Sequence, residues 1–164
     1  MAVADPPSKD LASVALPGLA RALVAAGKLG QRAAEDLYRK TQTGKASFIS
    51  ELTSSGAVSA ADLAHTMSVA FAAPLVDLDA LDRQRLPKGI LDPKTCLDFR
   101  VLVLSKRGNR LVVATADPAD QAAAEKIKFS TQLGVDWVIA EFDKLSRLVE
   151  RNATTVTEAM ENFV

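Results

Sequence analysis

The chain of 164 residues contains one cysteine, Cys96, and one histidine, His65, and that scarcity removes several kinds of chemistry at once. A lone thiol cannot close an internal disulfide, and one thiol with one imidazole cannot supply the paired soft ligands of a zinc site, so no metal is expected. Cys96 reads as a small buried thiol, in keeping with a reducing compartment. A Ser-His-Asp arrangement would have to be built around His65 on a helix, and the imidazole reads instead as a helix-surface group. Charge of one sign is also missing: twenty basic residues balance twenty acidic ones, which leaves no overall footprint for nucleic acid or an anionic membrane. Aromatics make up 5%, and Trp137 and Phe142 read as core or edge residues, since no basic stripe accompanies them for stacking on bases. No apolar run reaches the roughly eighteen residues of a membrane span. The start, Met-Ala-Val-Ala-Asp-Pro-Pro, has neither a basic n-region nor an apolar core. The expectation is a soluble cytoplasmic protein without direct membrane insertion.

What is present falls into two textures. Residues 1–10 carry Asp5, Pro6, Pro7, Ser8, Lys9 and Asp10, a composition that gains little from packing and predicts a loose start. Residues 11–73 are Ala-rich, break at Gly27, Gly44 and Gly56, and space apolar residues by three and four, which predicts a bundle of short helices. From Pro74 to residue 151, β-branched runs replace the alanines. Four strands are predicted, at residues 74–78, 100–105, 110–115 and 135–139, with Gly108-Asn109 turning a hairpin between the second and third. Asp117-Pro118 predicts a crossover helix to about Gln132 with Gly134 just past its end, and a last helix is expected over 142–151. Residues 152–164 read as a polar linker towards further chain. The fold class is α+β: a tandem helical repeat, then a small α/β part with a mixed sheet.

The helical half repeats itself. Leu19, Leu23, Gly27, Leu29 and Tyr38 have counterparts at Phe48, Leu52, Gly56, Val58 and Met67, each pair twenty-nine positions apart. The unit is a short helix, a Gly stop, a cap and a second helix. Ser59 with Asp62 forms a capping-box pattern in the second copy, and Gly30 is the weaker cap at the equivalent place in the first.

With this spacing the tandem resembles the cyclic-di-GMP-binding MshEN-type amino-terminal domain of type IV pilus and type II secretion ATPases, whose two motifs would occupy 18–41 and 47–70 here. Ala73-Pro-Leu-Val-Asp-Leu78 and Gly108-Asn-Arg-Leu-Val-Val-Ala-Thr-Ala-Asp-Pro118 are similar to the junction and hairpin of that family. The resemblance implies the amino-terminal part of a PilB-type pilus ATPase, with the secretion ATPase as its neighbour. Each motif of the family opens Arg-Leu-Gly, has a Gly at its tenth position and closes with Gln. Here the openings are Gly18-Leu19-Ala20 and Ser47-Phe48-Ile49, the inner glycines are Gly27 and Gly56, and the closing positions are Thr41 and Ala70. Without either arginine, and with Ile49 where a glycine would admit the ligand, direct nucleotide binding is expected to be lost or weakened. The apolar Leu19, Phe48, Ile49 and Leu52 suggest a protein partner instead, while Leu19 and Phe48 can equally fold into the core and Leu52 reads, with Leu23, Leu63 and Met67, as part of the buried face of the tandem. The resemblance implies a PilZ-family adaptor as that partner, together with inner-membrane platform components and a hexamer built through the absent ATPase domain. Direct reception of cyclic-di-GMP is the alternative, and a free-standing enzyme is the third reading.

The sequence contains no ATPase phosphate loop. Such a loop needs Gly, four residues, Gly-Lys and Ser or Thr; at Gly44-Lys45 the outer positions are Arg39 and Ala46. No cofactor is expected in this chain, and ATP with magnesium would belong to the missing domain. The acidic groups at Asp77, Asp79, Asp82, Asp117 and Asp120 read as caps of free amides rather than as catalysts.

Overall fold

The computed structural model describes the backbone of residues 15–161 and the side chains of residues 15–154. The loose start expected at 1–10 lies outside the described residues. Four helices come first: α1 Gly18–Ala25, α2 Gln31–Thr43, α3 Phe48–Ser54 and α4 Ala60–Phe71. The repeat holds in three dimensions. Gly27 and Gly56 close α1 and α3 with φ of 71° and 76°, a left-handed turn that glycine takes without steric cost. Their amides reach back to the carbonyls of Val24 and Thr53, at 3.1 and 3.3 Å. Gly30 and Ser59 are the N-caps of α2 and α4, and Ser59 Oγ accepts from the Asp62 amide at 3.1 Å. Paired positions Leu23 and Leu52, Leu29 and Val58, and Ala34 and Leu63 are all buried in one core.

After two short 3-10 turns, Leu78–Ala80 and Arg83–Arg85, the chain forms α5 Pro93–Phe99, β1 Leu102–Arg107, β2 Arg110–Thr115, α6 Gln121–Thr131, β3 Gly134–Ile139 and α7 Phe142–Glu161. The sheet runs β1-β2-β3, antiparallel in the first pair and parallel in the second, so the expected α+β class with a mixed sheet is the observed one. Gly108, with φ of 60°, turns the hairpin. Strand alternation divides the apolar side chains between two clusters. Leu102 and Ala114 pack with Leu145 and Val149 of α7, while Val103, Leu111 and Val113 pack with Ile127 of α6.

Three expectations are corrected. Residues 74–78 contribute a single bridge, Leu75 to Ile139, not a strand; the Asp77 carboxylate accepts from the Asp79 amide and starts a 3-10 turn at Leu78. The crossover helix begins at Gln121, where Asp120 caps it through the Ala123 amide, and Asp117-Pro118 forms a preceding turn in which the Ala119 amide donates to Asp117 Oδ1. The helix closes on Gln132, as expected, in the left-handed region, and Gly134 just past its end opens β3 beneath the Arg110 guanidinium. Finally, α7 runs on to Glu161 where a linker was expected from residue 152; Thr154 satisfies its hydroxyl on the Glu150 carbonyl within that helix.

Candidate functional site

The residues singled out in the tandem divide by burial. Leu19, Ala20 and Leu52 are 1%, 0% and 0% exposed and belong to the helical core. They offer no surface to a partner, because the i, i+4 leucines of so short a helix are needed to bury its one apolar stripe. The expectation that Leu19 and Leu52 contact a protein is therefore corrected. Phe48 and Ile49 are half-buried against the same core, Phe48 in an edge-on contact with Tyr38 at 6.3 Å between ring centres. Ser47 is exposed and caps α3 by accepting from the Ser50 amide at 3.2 Å. Gly18 occupies a tight place: a Cβ built there would come within 2.9 Å of the Ala119 Cβ. The absence of a side chain at this position lets α1 touch the turn before α6.

That contact is part of a continuous joint. Ile139 of β3 is fully buried in the core of the tandem. Its amide donates to the Pro74 carbonyl at 2.7 Å, its carbonyl accepts from the Val76 amide at 2.8 Å, and Ser68 Oγ donates to the Ala73 carbonyl at 2.6 Å. The helical and sheet parts are therefore packed through shared side chains and main-chain hydrogen bonds around residues 73–76.

The apolar surface that sequence reasoning missed lies beside this joint. Val69, Phe71 and Leu75 are 70%, 39% and 53% exposed. The buried stripe of α4 is Leu63, Ala64 and Met67. Val69 falls off that stripe, which is the one sequence signal that could have marked it. They are three of the four large apolar side chains exposed among the described residues, the fourth being Phe129 on α6.

Charged groups near the joint are committed to structure. Asp117 is held in the turn before α6; burial, and then the neighbouring Asp120 charge, push its carboxyl up to about 6 against the opposing Ala119 amide. Lys144 Nζ lies 2.8 Å from both Asp79 and Glu141, whose hydrogen bonds raise its pKa, and Lys144 in turn lowers that of Asp79. Asp82 accepts from the Gln84 amide at 3.0 Å. His65 is exposed on α4. Gly44-Lys45 lies between two helices with Gly44 extended, not at a strand-to-helix turn whose amides could cradle phosphate. Among the described residues, no helix is long and apolar enough to cross a membrane.

Comparison with known proteins agrees with this architecture. The type IV pilus assembly ATPase PilB of Pseudomonas aeruginosa is 32% identical over 148 residues, covering 90% of this chain and 26% of that protein. PilB of Acinetobacter baylyi is 30% identical over 135 residues, covering 82% and 23%. The chain thus spans about a quarter of the length of the curated relatives it matches. The solved N-terminal domain of XpsE superposes with a TM-score of 0.64 at 26% identity, over 81% of this chain and 92% of that one. A structure described as MshE with cdg gives 0.60 at 25% identity, over 81% and 96%. The MshEN domain family model matches residues 71–158, more than half of the chain. The chain belongs to the MshEN domain family, as a homologue of the amino-terminal regions of pilus-assembly and secretion ATPases.

Proposed function

We propose that this chain is a non-catalytic regulatory and docking domain of a type IV pilus assembly ATPase, and that it recruits a protein regulator of the PilZ-adaptor kind through the tandem. The observation that carries this reading is the exposure of the apolar side chains Val69, Phe71 and Leu75 close to the joint between the helical and sheet parts. Apolar side chains of this size at the centre of an interface supply most of its binding energy. Phe48 and Ile49, half-buried on α3, are secondary contacts. Turnover of ATP with magnesium, hexamer formation and contact with the inner-membrane platform would belong to the longer protein, placed in the cytoplasm against the inner membrane. The test is calorimetric binding of a purified PilZ-type adaptor to the chain and to its Val69→Asp and Leu75→Asp variants. Both positions are exposed, so the variants should fold normally. A loss of at least about tenfold in affinity, or about 1.4 kcal/mol, is expected; unchanged affinity overturns the assignment.

The second reading, direct reception of cyclic-di-GMP, is favoured by the likeness to the structure described as MshE with cdg. Two features oppose it. Gly18 and Ser47 stand at the two arginine positions, and Ile49 occupies a glycine position where backbone approach is needed. Titration of the chain with cyclic-di-GMP is expected to give no saturable heat; micromolar binding would reverse the ranking.

A further inference from the structure

The sheet's two apolar clusters do not close completely on each other. Where they meet, beneath residues 86–91 and beside α5 and α7, lies a pocket of about 390 Å³. Leu86 belongs to the cluster under α7 and Ile90 to the one under α6, while Cys96 touches both. The pocket marks the seam that the loop spans. Its floor is apolar, from Leu102, Val103 and Val149. Its volume lies at the lower end of the roughly 300–1,000 Å³ typical of small-molecule sites.

The rim is charged with one sign. Arg83 and Lys88 line the pocket and no carboxylate does. Among the described residues neither has a carboxylate within ion-pair distance, although seven other basic side chains do. The nearby acids are occupied: Asp82 with Arg85 and the Gln84 amide, Asp92 with the Lys94 amide and the Thr95 hydroxyl, Asp79 with Lys144. Arg83 also lines two neighbouring hollows, one shared with Asp79, Lys144, Arg147 and Arg151 and the other with Arg147, Glu150 and Arg151. The Cys96 thiol, pushed up to about 11 chiefly by burial, stays neutral and adds no negative charge to the wall. An apolar chamber entered past Arg83 and Lys88, neither in an ion pair among the described residues although Arg83 feels the Asp79 charge at longer range, favours a ligand with an apolar body and an anionic head.

We propose that this seam is a binding site for a free single-chain amphiphilic anion, such as a medium-chain acyl carboxylate, with its chain between residues 86–91 and Val149 and its head at Arg83 and Lys88. The site draws no lining residue from the helical tandem and is independent of the adaptor reading. A shaped pocket with a cationic mouth distinguishes head-group charge, which non-specific greasy adsorption does not.

The test uses the 164-residue chain with decanoate, 1-decanol and decyltrimethylammonium as probes, read by calorimetry, with amide chemical-shift mapping of residues 88–91 and Val103 as an independent footprint. Decanoate is expected to bind one-to-one and saturably, to shift those amides, and to bind at least about tenfold more tightly than either the alcohol or the cation. Arg83→Glu with Lys88→Glu, both at exposed positions, should weaken decanoate by at least about tenfold while leaving the far-UV circular dichroism unchanged. Equal binding of the three probes, no saturable binding, or no shift at those amides overturns the proposal whatever the variant does. Binding to vesicles of anionic phosphatidylglycerol without binding to decanoate also overturns it, and assigns the cationic rim to a membrane surface.

Discussion

The helical tandem and the sheet part solve the problem of a small core differently. In the tandem, four short helices bury one narrow stripe each, and the same positions are used twice: Leu23 and Leu52 at the centre, Gly27 and Gly56 at the turns. In the sheet part, strands flanked by helices divide their side chains between two clusters. The family match falls over residues 71–158, on the sheet part and α7, whereas the ligand motif of the family would lie in the tandem. The repeated turns and core of the tandem rest on Leu23, Leu52, Gly27 and Gly56, and Gly18 and Ser47 are not part of that buried core. The two parts are nevertheless joined, because Ile139 of the sheet completes the tandem core.

The strongest way to break that contrast is to remove the shared residue. Ile139→Ala should cost about 2–5 kcal/mol, the usual loss for truncating a fully buried aliphatic side chain, and urea unfolding followed by far-UV circular dichroism and by Trp137 fluorescence should remain a single coincident transition. Two separated transitions would show that the halves fold as independent units. A smaller effect tests the contact between α1 and the turn before α6. Gly18→Ala places a methyl group 2.9 Å from the Ala119 Cβ and should destabilise the chain by about 1–3 kcal/mol, as overpacking does; a neutral result in denaturant unfolding would mean that the joint gives way easily. The smallest effect concerns pH. The folded Asp117 carboxyl is raised to about 6 from an ordinary 3.8, so the ionised form is the disfavoured one. Its contribution is fully favourable below the ordinary value and is lost as pH rises through about 6. Asp117→Asn should therefore stabilise the chain at pH 7 by about 1–2 kcal/mol and remove that part of the pH dependence between about pH 4 and 6. Equal slopes for the two proteins across that interval in unfolding experiments would sink the assignment.

The tandem was legible because its signals are local: a glycine that supplies a positive φ, a serine that caps an amide, leucines four apart. The hairpin at Gly108 and the parallel pairing of β2 with β3 were legible for the same reason. Errors arose where one dipeptide serves two structures. Asp117-Pro118 reads as a helix start, yet the pairing of Asp cap with Pro in the first turn operates at Asp92-Pro93, where it opens α5, a helix the sequence reading left out. Pro74-Leu-Val-Asp-Leu78 has strand composition, but Pro74 has no amide to donate and the Asp77 side chain diverts the backbone into a 3-10 turn. Polar Asn152-Ala-Thr-Thr reads as linker because propensity is weak there, although α7 carries through it. Among the residues singled out, exposure was not legible. Leu19 and Leu52 stand at motif positions that face inward, while Val69 and Leu75 announce themselves only once neighbouring elements fail to cover them. The seam pocket joins residues from 83–103 to residues 149–153, and no local pattern reports such a distant juxtaposition.

Because the two parts share a core, deleting either half would confound binding with unfolding, and the footprint has to be read on the intact chain. Amide chemical-shift mapping with an unlabelled PilZ-type adaptor does this most directly. Docking at Val69, Phe71 and Leu75 predicts that the largest perturbations fall on residues 69–75, with weaker ones at Phe48 and Ile49. Perturbations confined to the sheet part, or none at saturating adaptor, would contradict it.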